Sequence, residues 1–196
     1  MSRATTILGI DCSPRVSSNS ARMLGEVLRS LEGDRRVKAV EQVRLVDERI
    51  DCLGCETCYK TLGYHGDGID RVLSVMKESD VILMATPTCF GMPPALGVVL
   101  LDRSDPLWRD GQQLKGKLGA VIVNGATDPA DDPSLRQCAD NIIKLFEQHE
   151  MPCVQPALLA GTLAYPEQRF PDPLPAGATG VLEQLADEVR QWVGSR

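Results

Sequence analysis

The chain has 196 residues, a size that suits one α/β domain and is short for two. Its 43% hydrophobic content supports one continuous core, and with only 4% aromatic residues that core must be aliphatic. Lys plus Arg number 21 against 27 Asp plus Glu, a net charge of −6. No basic run is present to follow a nucleic-acid backbone, so the expected partners include no nucleic acid.

Residues 1–4 lead straight into a short apolar run, not a signal-peptide core, and the seven cysteines are an odd number. Both features point to a cytoplasmic, reducing setting in which the cysteines are thiols or metal ligands rather than disulfides. Residues 5–12 (TTILGIDC) read as a first strand. Residues 20–31 follow with Ala21, Leu24, Val27, Leu28 and Leu31 at helical spacing, and Gly33 marks the stop. Residues 37–46 read as a second strand, and a Cys- and Gly-rich loop occupies residues 47–68.

Residues 69–79 form a helix with Ile69, Val72, Leu73 and Met76 on one face. Residues 81–101 carry no charge and match a bilayer in length, but Pro87, Pro93 and Pro94 break any continuous helix. They read instead as a buried third strand (VILMA), a loop, and a helix over residues 93–103. No membrane partner is expected. A fourth strand covers residues 118–123, a helix 133–150, a weaker fifth strand 153–159, and an amphipathic helix 181–193 closes the chain. The Pro/Gly-rich stretch 162–179 reads as irregular.

This alternation predicts a single α/β domain over residues 1–196. It has right-handed crossovers, a five-stranded parallel sheet in the order 2-1-3-4-5, and helices on both faces. Ligands in such sheets bind beyond the carboxyl ends of the strands, where the order reverses. The loops after the first, third and fourth strands therefore hold the candidate chemistry. In the first, Ser13, Arg15, Ser18, Asn19 and Ser20 converge hydroxyl, amide and guanidinium donors on a helix start, as a phosphate monoester requires. Plain helix capping accounts for the same residues. Pro87, Thr88, Cys89, Phe90 and Gly91 follow the third strand, and Asn124, Gly125 and Ala126 follow the fourth. Each is a turn that can bring backbone N–H groups against a ring, or an ordinary connection.

Cys52, Cys55 and Cys58 have the spacing C-x2-C-x2-C, which lets three thiolates face one [4Fe–4S] cluster. A zinc site, which needs a fourth ligand, and a redox pair of Cys55 with Cys58 are the other readings. Asp102 and Arg103 read as a helix cap or a surface ion pair, and His149 as an exposed charge at a helix C-terminus. No Ser/His/Asp triad or paired-carboxylate motif is apparent, so catalytic residues are set at none, and a bound cofactor is expected to carry the chemistry.

Four blocks in order, ILGIDCSPRVSSNS, CLGCETC, TPTCFG and LDRSDPLW, resemble the NADPH-dependent FMN reductases and the related iron–sulfur flavoproteins, over roughly the first two-thirds of the chain. The resemblance implies a flavodoxin-like three-layer fold with FMN as cofactor and NAD(P)H as co-substrate. Electrons then pass to a small acceptor: a flavin, quinone, nitro or azo compound, or metabolite. It places the phosphate on the 13–20 loop and the flavin ring beside residues 87–91 and 124–126, with Cys89 standing where the family commonly has Tyr. It also implies a homodimer or homotetramer. The iron–sulfur flavoproteins carry a fourth Cys shortly after the triplet, and His65 falls in that window here. An iron–sulfur electron carrier and a non-catalytic binding module on the same fold are the alternative functions.

Overall fold

The computed structural model describes residues 4–61, 66–161, 174 and 176–196. His65 and most of the Pro/Gly-rich stretch lie outside the described residues. The elements are β1 (Thr5–Asp11), α1 (Asn19–Glu32), β2 (Val37–Arg44), α2 (Thr57–Thr61), α3 (Gly68–Glu78), β3 (Val81–Pro87), α4 (Ala95–Arg103), α5 (Asp105–Arg109), β4 (Leu118–Asn124), α6 (Ser134–Gln148), β5 (Ala157–Leu159) and α7 (Ala176–Gly194). The strands form one parallel sheet in the order β2-β1-β3-β4-β5, as expected, with the flavodoxin-like topology.

Successive strand residues point to opposite faces, and both faces are covered. Leu8, Ile10, Ile82, Met84, Val121 and Val123 pack with α3 and α6. Ile7, Val81, Leu83, Ala85, Ala120 and Ile122 pack with α1 and α7. The uninterrupted apolar run of β3 therefore feeds two cores, and each fully buried aliphatic side chain contributes about 1.5–3 kcal/mol. The Val27, Leu28 and Leu31 face of α1 and the Ile69, Val72, Leu73 and Met76 face of α3 are the stripes read from their spacing. Both helices are capped by side chains: Ser18 accepts from the Ala21 amide at 2.9 Å and Asp67 from the Ile69 amide at 3.1 Å.

Several boundaries differ from expectation. Before β5, residue 153 makes only an isolated bridge to Gly119, and Pro156, lacking an N–H, delays the strand to Ala157. Helix α4 starts at Ala95, with Pro94 extended at φ −57 and ψ 163 as its cap. Helix α7 begins at Ala176, five residues before the expected position 181. The glycines there are costly in a helix, but Ala178 and Leu182 are buried in the core. Helices α2 and α5 were not expected, since five residues are too few to show a periodicity.

Candidate functional site

Parallel register aligns the carboxyl ends of the strands. Asp11 of β1 pairs with Arg44 of β2 and with Ala85 of β3, and Pro87 of β3 pairs with Asn124 of β4. The three expected loops therefore leave one edge, and hydrogen bonds tie them together. The Ser20 hydroxyl donates to the Asn124 side-chain oxygen at 2.6 Å. The Thr88 amide donates to the Asn124 carbonyl at 2.9 Å, and the Gly125 amide to the Leu159 carbonyl at 3.1 Å. Gly125 is close-packed: a Cβ there would sit 2.7 Å from Thr88 Cγ2 and 2.8 Å from Leu135 Cδ2.

Ser20 and Asn124 are buried and bonded to each other, so Ser20 braces α1 against β4 from inside the fold. Ser13 is also buried, its hydroxyl accepting from the Arg15 amide at 3.3 Å. Ser18 and Asn19 are half-buried at the start of α1, Ala126 is exposed, and Pro14 to Ser17 form an exposed crest. Beyond β3, Cys89 and Met92 exchange backbone hydrogen bonds across a two-residue turn. Both central residues are left-handed, Phe90 at φ 51 and Gly91 at φ 76, the arrangement of a type I′ hairpin. Gly suits that geometry, whereas Phe90 is strained by it and is 99% exposed.

Two residues that sequence reasoning missed organise the β1 loop. Asp11 is fully buried and accepts from the Ser13 amide at 3.0 Å and the Ser18 hydroxyl at 3.2 Å. Burial pushes its carboxyl up from 3.8 to about 6, against the opposing pull of those bonds and of Arg44. Arg44 lies 3.8 Å from Asp11 and 3.3 Å from Asp47. It also donates to the backbone carbonyls of Arg15 and Val16. Because a trans peptide sets C=O and N–H in opposite directions, the amides of Val16 and Ser17 face away from Arg44. The crest thus offers a pair of N–H groups beside the positive end of α1. No local signature marks this Asp–Arg pair, whose members meet only through the β1–β2 register.

Two other readings are corrected. Arg103 is buried rather than at the surface, paired with Asp67 at 2.7 Å and Asp70 at 3.4 Å, and donating to the Asp51 carbonyl at 2.8 Å. It pins both ends of the cysteine loop to α4. His149 is also buried rather than exposed. Its Nε2 lies 3.4 Å from the Ser104 hydroxyl, its Nδ1 has no hydrogen-bond partner among the described residues, and burial holds its pKa below the ordinary value.

Cys52, Cys55 and Cys58 line a hollow of about 380 Å3 together with Tyr59, Asp102 and Arg103. Among the described residues no three His, Cys, Asp or Glu side chains are placed to hold a metal ion. No cysteine lies between residues 58 and 89, so a cluster held by four thiolates of this loop does not fit. Among the described residues no helix is long and apolar enough to cross a membrane.

The model of a family described as NADPH-dependent FMN reductase matches residues 5–161. An iron–sulfur flavoprotein of Methanocaldococcus jannaschii is 35% identical over 124 residues, 62% of this chain and 62% of that protein. The chain thus spans about three-fifths of that relative's length. An iron–sulfur flavoprotein of Methanosarcina thermophila is 28% identical over 137 residues, covering 68% and 71% of the two chains. Among solved structures, an NADH:FMN oxidoreductase in apo form superposes with a TM-score of 0.70 at 15% identity, covering 95% of this chain and 89% of that one. An azoreductase of Bacillus anthracis superposes with a TM-score of 0.64 at 14% identity, over 95% and 99%. At these identities the structural likenesses speak for the fold alone.

Proposed function

The chain belongs to the NADPH-dependent FMN reductase family, and we propose on that ground that it acts as a flavoprotein-type oxidoreductase. From that membership and the geometry of the sheet edge we propose that it binds FMN and uses NAD(P)H to reduce a small acceptor. The observation that carries the reading is the β1 crest. Arg44 holds the carbonyls of Arg15 and Val16 to one side, which turns the next amides outward at the start of a 14-residue helix. Those amides, Ser18, Asn19 and the Arg15 side chain are the groups proposed to receive the phosphate. Ser13 and Ser20 act behind them as positioning residues.

Residues 87–91 and 124–126 are proposed to border the flavin ring. The Thr88–Asn124 bond holds the two loops at fixed separation, and the Gly125 backbone has the close packing that keeps the edge rigid. When bound, the cofactor supplies two-electron exchange between NAD(P)H and an acceptor such as a flavin, quinone, nitro or azo compound, or metabolite. The protein's contribution is binding and orientation, and no side-chain acid, base or nucleophile is required. Exposed apolar side chains near this edge, Val16, Phe90 and Met92, support a homodimer or homotetramer that covers them.

The test is anaerobic addition of NADPH or NADH to freshly purified protein. Bleaching of a flavin absorption band by either nucleotide is expected. Flavin that dithionite bleaches but neither nucleotide does would shift the reading to an electron carrier. Colourless protein that FMN does not reconstitute would leave a binding module.

A further inference from the structure

The flavin reading leaves the cysteine loop unused, yet its three thiols are set apart by their surroundings. Cys55 is exposed, and its sulfur lies 3.2 Å from the Thr57 hydroxyl. Hydrogen bonds from the Thr57 hydroxyl and then the Thr57 backbone lower its pKa, and the charge of Arg103 adds to them. Cys52 is exposed as well, but its thiol donates to the Asp102 carboxylate at 3.0 Å, which raises its pKa and keeps it protonated. Cys58 sits in α2 and is only 6% exposed. Positive φ at Gly54 and Glu56, 62 and 60, turns the chain on either side of Cys55. The buried Arg103, ion-paired on α3, holds the base of the same hollow.

An accessible, thiolate-leaning cysteine three residues ahead of a shielded one is the division of labour between attacking and resolving thiols. We infer that Cys55 and Cys58 form a reversible dithiol–disulfide pair that exchanges electrons with low-molecular-weight disulfides. The Cys55 thiolate attacks one sulfur of the incoming disulfide RSSR. That S–S bond breaks, RS− departs and takes up a proton, and a Cys55–SR bond forms. The Cys58 thiol then loses its proton to solvent and attacks the Cys55 sulfur, expelling the second RS−, which is protonated. The two protein thiols give up two electrons in all, and RSSR becomes two RSH. Cys52 stays out of the exchange because Asp102 holds its proton.

Oxidised glutathione is the probe. Anaerobically purified full-length protein is treated with it in stepwise amounts, alkylated, and mapped by mass spectrometry. The wild type should form a Cys55–Cys58 disulfide that reduced glutathione reverses. Cys58→Ser should trap a mixed disulfide on Cys55, Cys55→Ser should leave Cys58 unmodified, and Cys52→Ser should behave as wild type. Thr57→Val should slow the reaction several-fold at neutral pH and move its pH dependence upward. First reaction at Cys52 or a Cys52–Cys55 bridge would overturn the assignment. So would inert thiols accompanied by stoichiometric zinc, or by iron with acid-labile sulfide.

Discussion

Replacing Asp11 by Asn tests whether the β1 loop is built over a strained carboxylate. Asp11 is fully buried, and Arg44 at 3.8 Å divides its charge with Asp47 at 3.3 Å. Burial therefore dominates and raises the carboxyl from 3.8 to about 6. The folded state then holds a proton that the unfolded chain releases between those two values, so this part of the stability is present at low pH and is lost as pH rises to about 6. The upward move corresponds to about 3 kcal/mol. Asn is neutral at every pH and keeps an oxygen to accept from the Ser13 amide. The stability difference, Asn variant minus wild type, should accordingly grow by about 3 kcal/mol between pH 3 and pH 7. For a chain of this size that is about 6–12 °C in Tm. Thermal unfolding followed by circular dichroism across that range measures it, and other titrating groups cancel in the difference. Parallel profiles, or a difference that grows toward acid, would refute the reasoning.

Arg44→Gln removes the tie between β2 and the crest carbonyls. With a charged hydrogen-bonding group lost, FMN affinity should fall by about tenfold or more in a fluorescence titration, with the fold retained by circular dichroism. Burial holds the His149 imidazole below its ordinary 6.5, so the unfolded chain takes up a proton that the folded chain refuses. Stability should fall as pH drops below 6.5, and His149→Gln should flatten that acid slope in denaturant titrations. Gly119→Ala would place a methyl group 2.4 Å from Phe146 Cδ2. It should cost about 1–3 kcal/mol, read from the urea midpoint, and Phe146→Leu in the same chain should recover part of the loss.

Much of the sheet edge was legible because its signals are local. Apolar runs ended by turn residues located β1, β3 and β4, and alternation with amphipathic stretches gave the strand order. The loops that meet at the edge followed from that order. What escaped had no local signal. Asp11 and Arg44 are 33 positions apart and become partners only through strand register. Arg103 and His149 look like surface charges in sequence, and only the tertiary fold buries them, one against Asp67 and the other beside Ser104. The hydroxyls of the β1 loop read alike, yet the structure divides them: Ser18 caps α1, Ser20 turns inward to Asn124, and the crest amides become the outward donors.

The phosphate assignment is tested most directly by titrating flavin-free protein with FMN and with riboflavin under identical conditions. The two ligands share the ring and differ by the phosphate alone. Binding of FMN at least a hundredfold tighter than riboflavin is the expected result, with most of that margin lost in Arg44→Gln. Equal affinities, or a margin untouched by Arg44→Gln, would show that the β1 crest does not hold the phosphate.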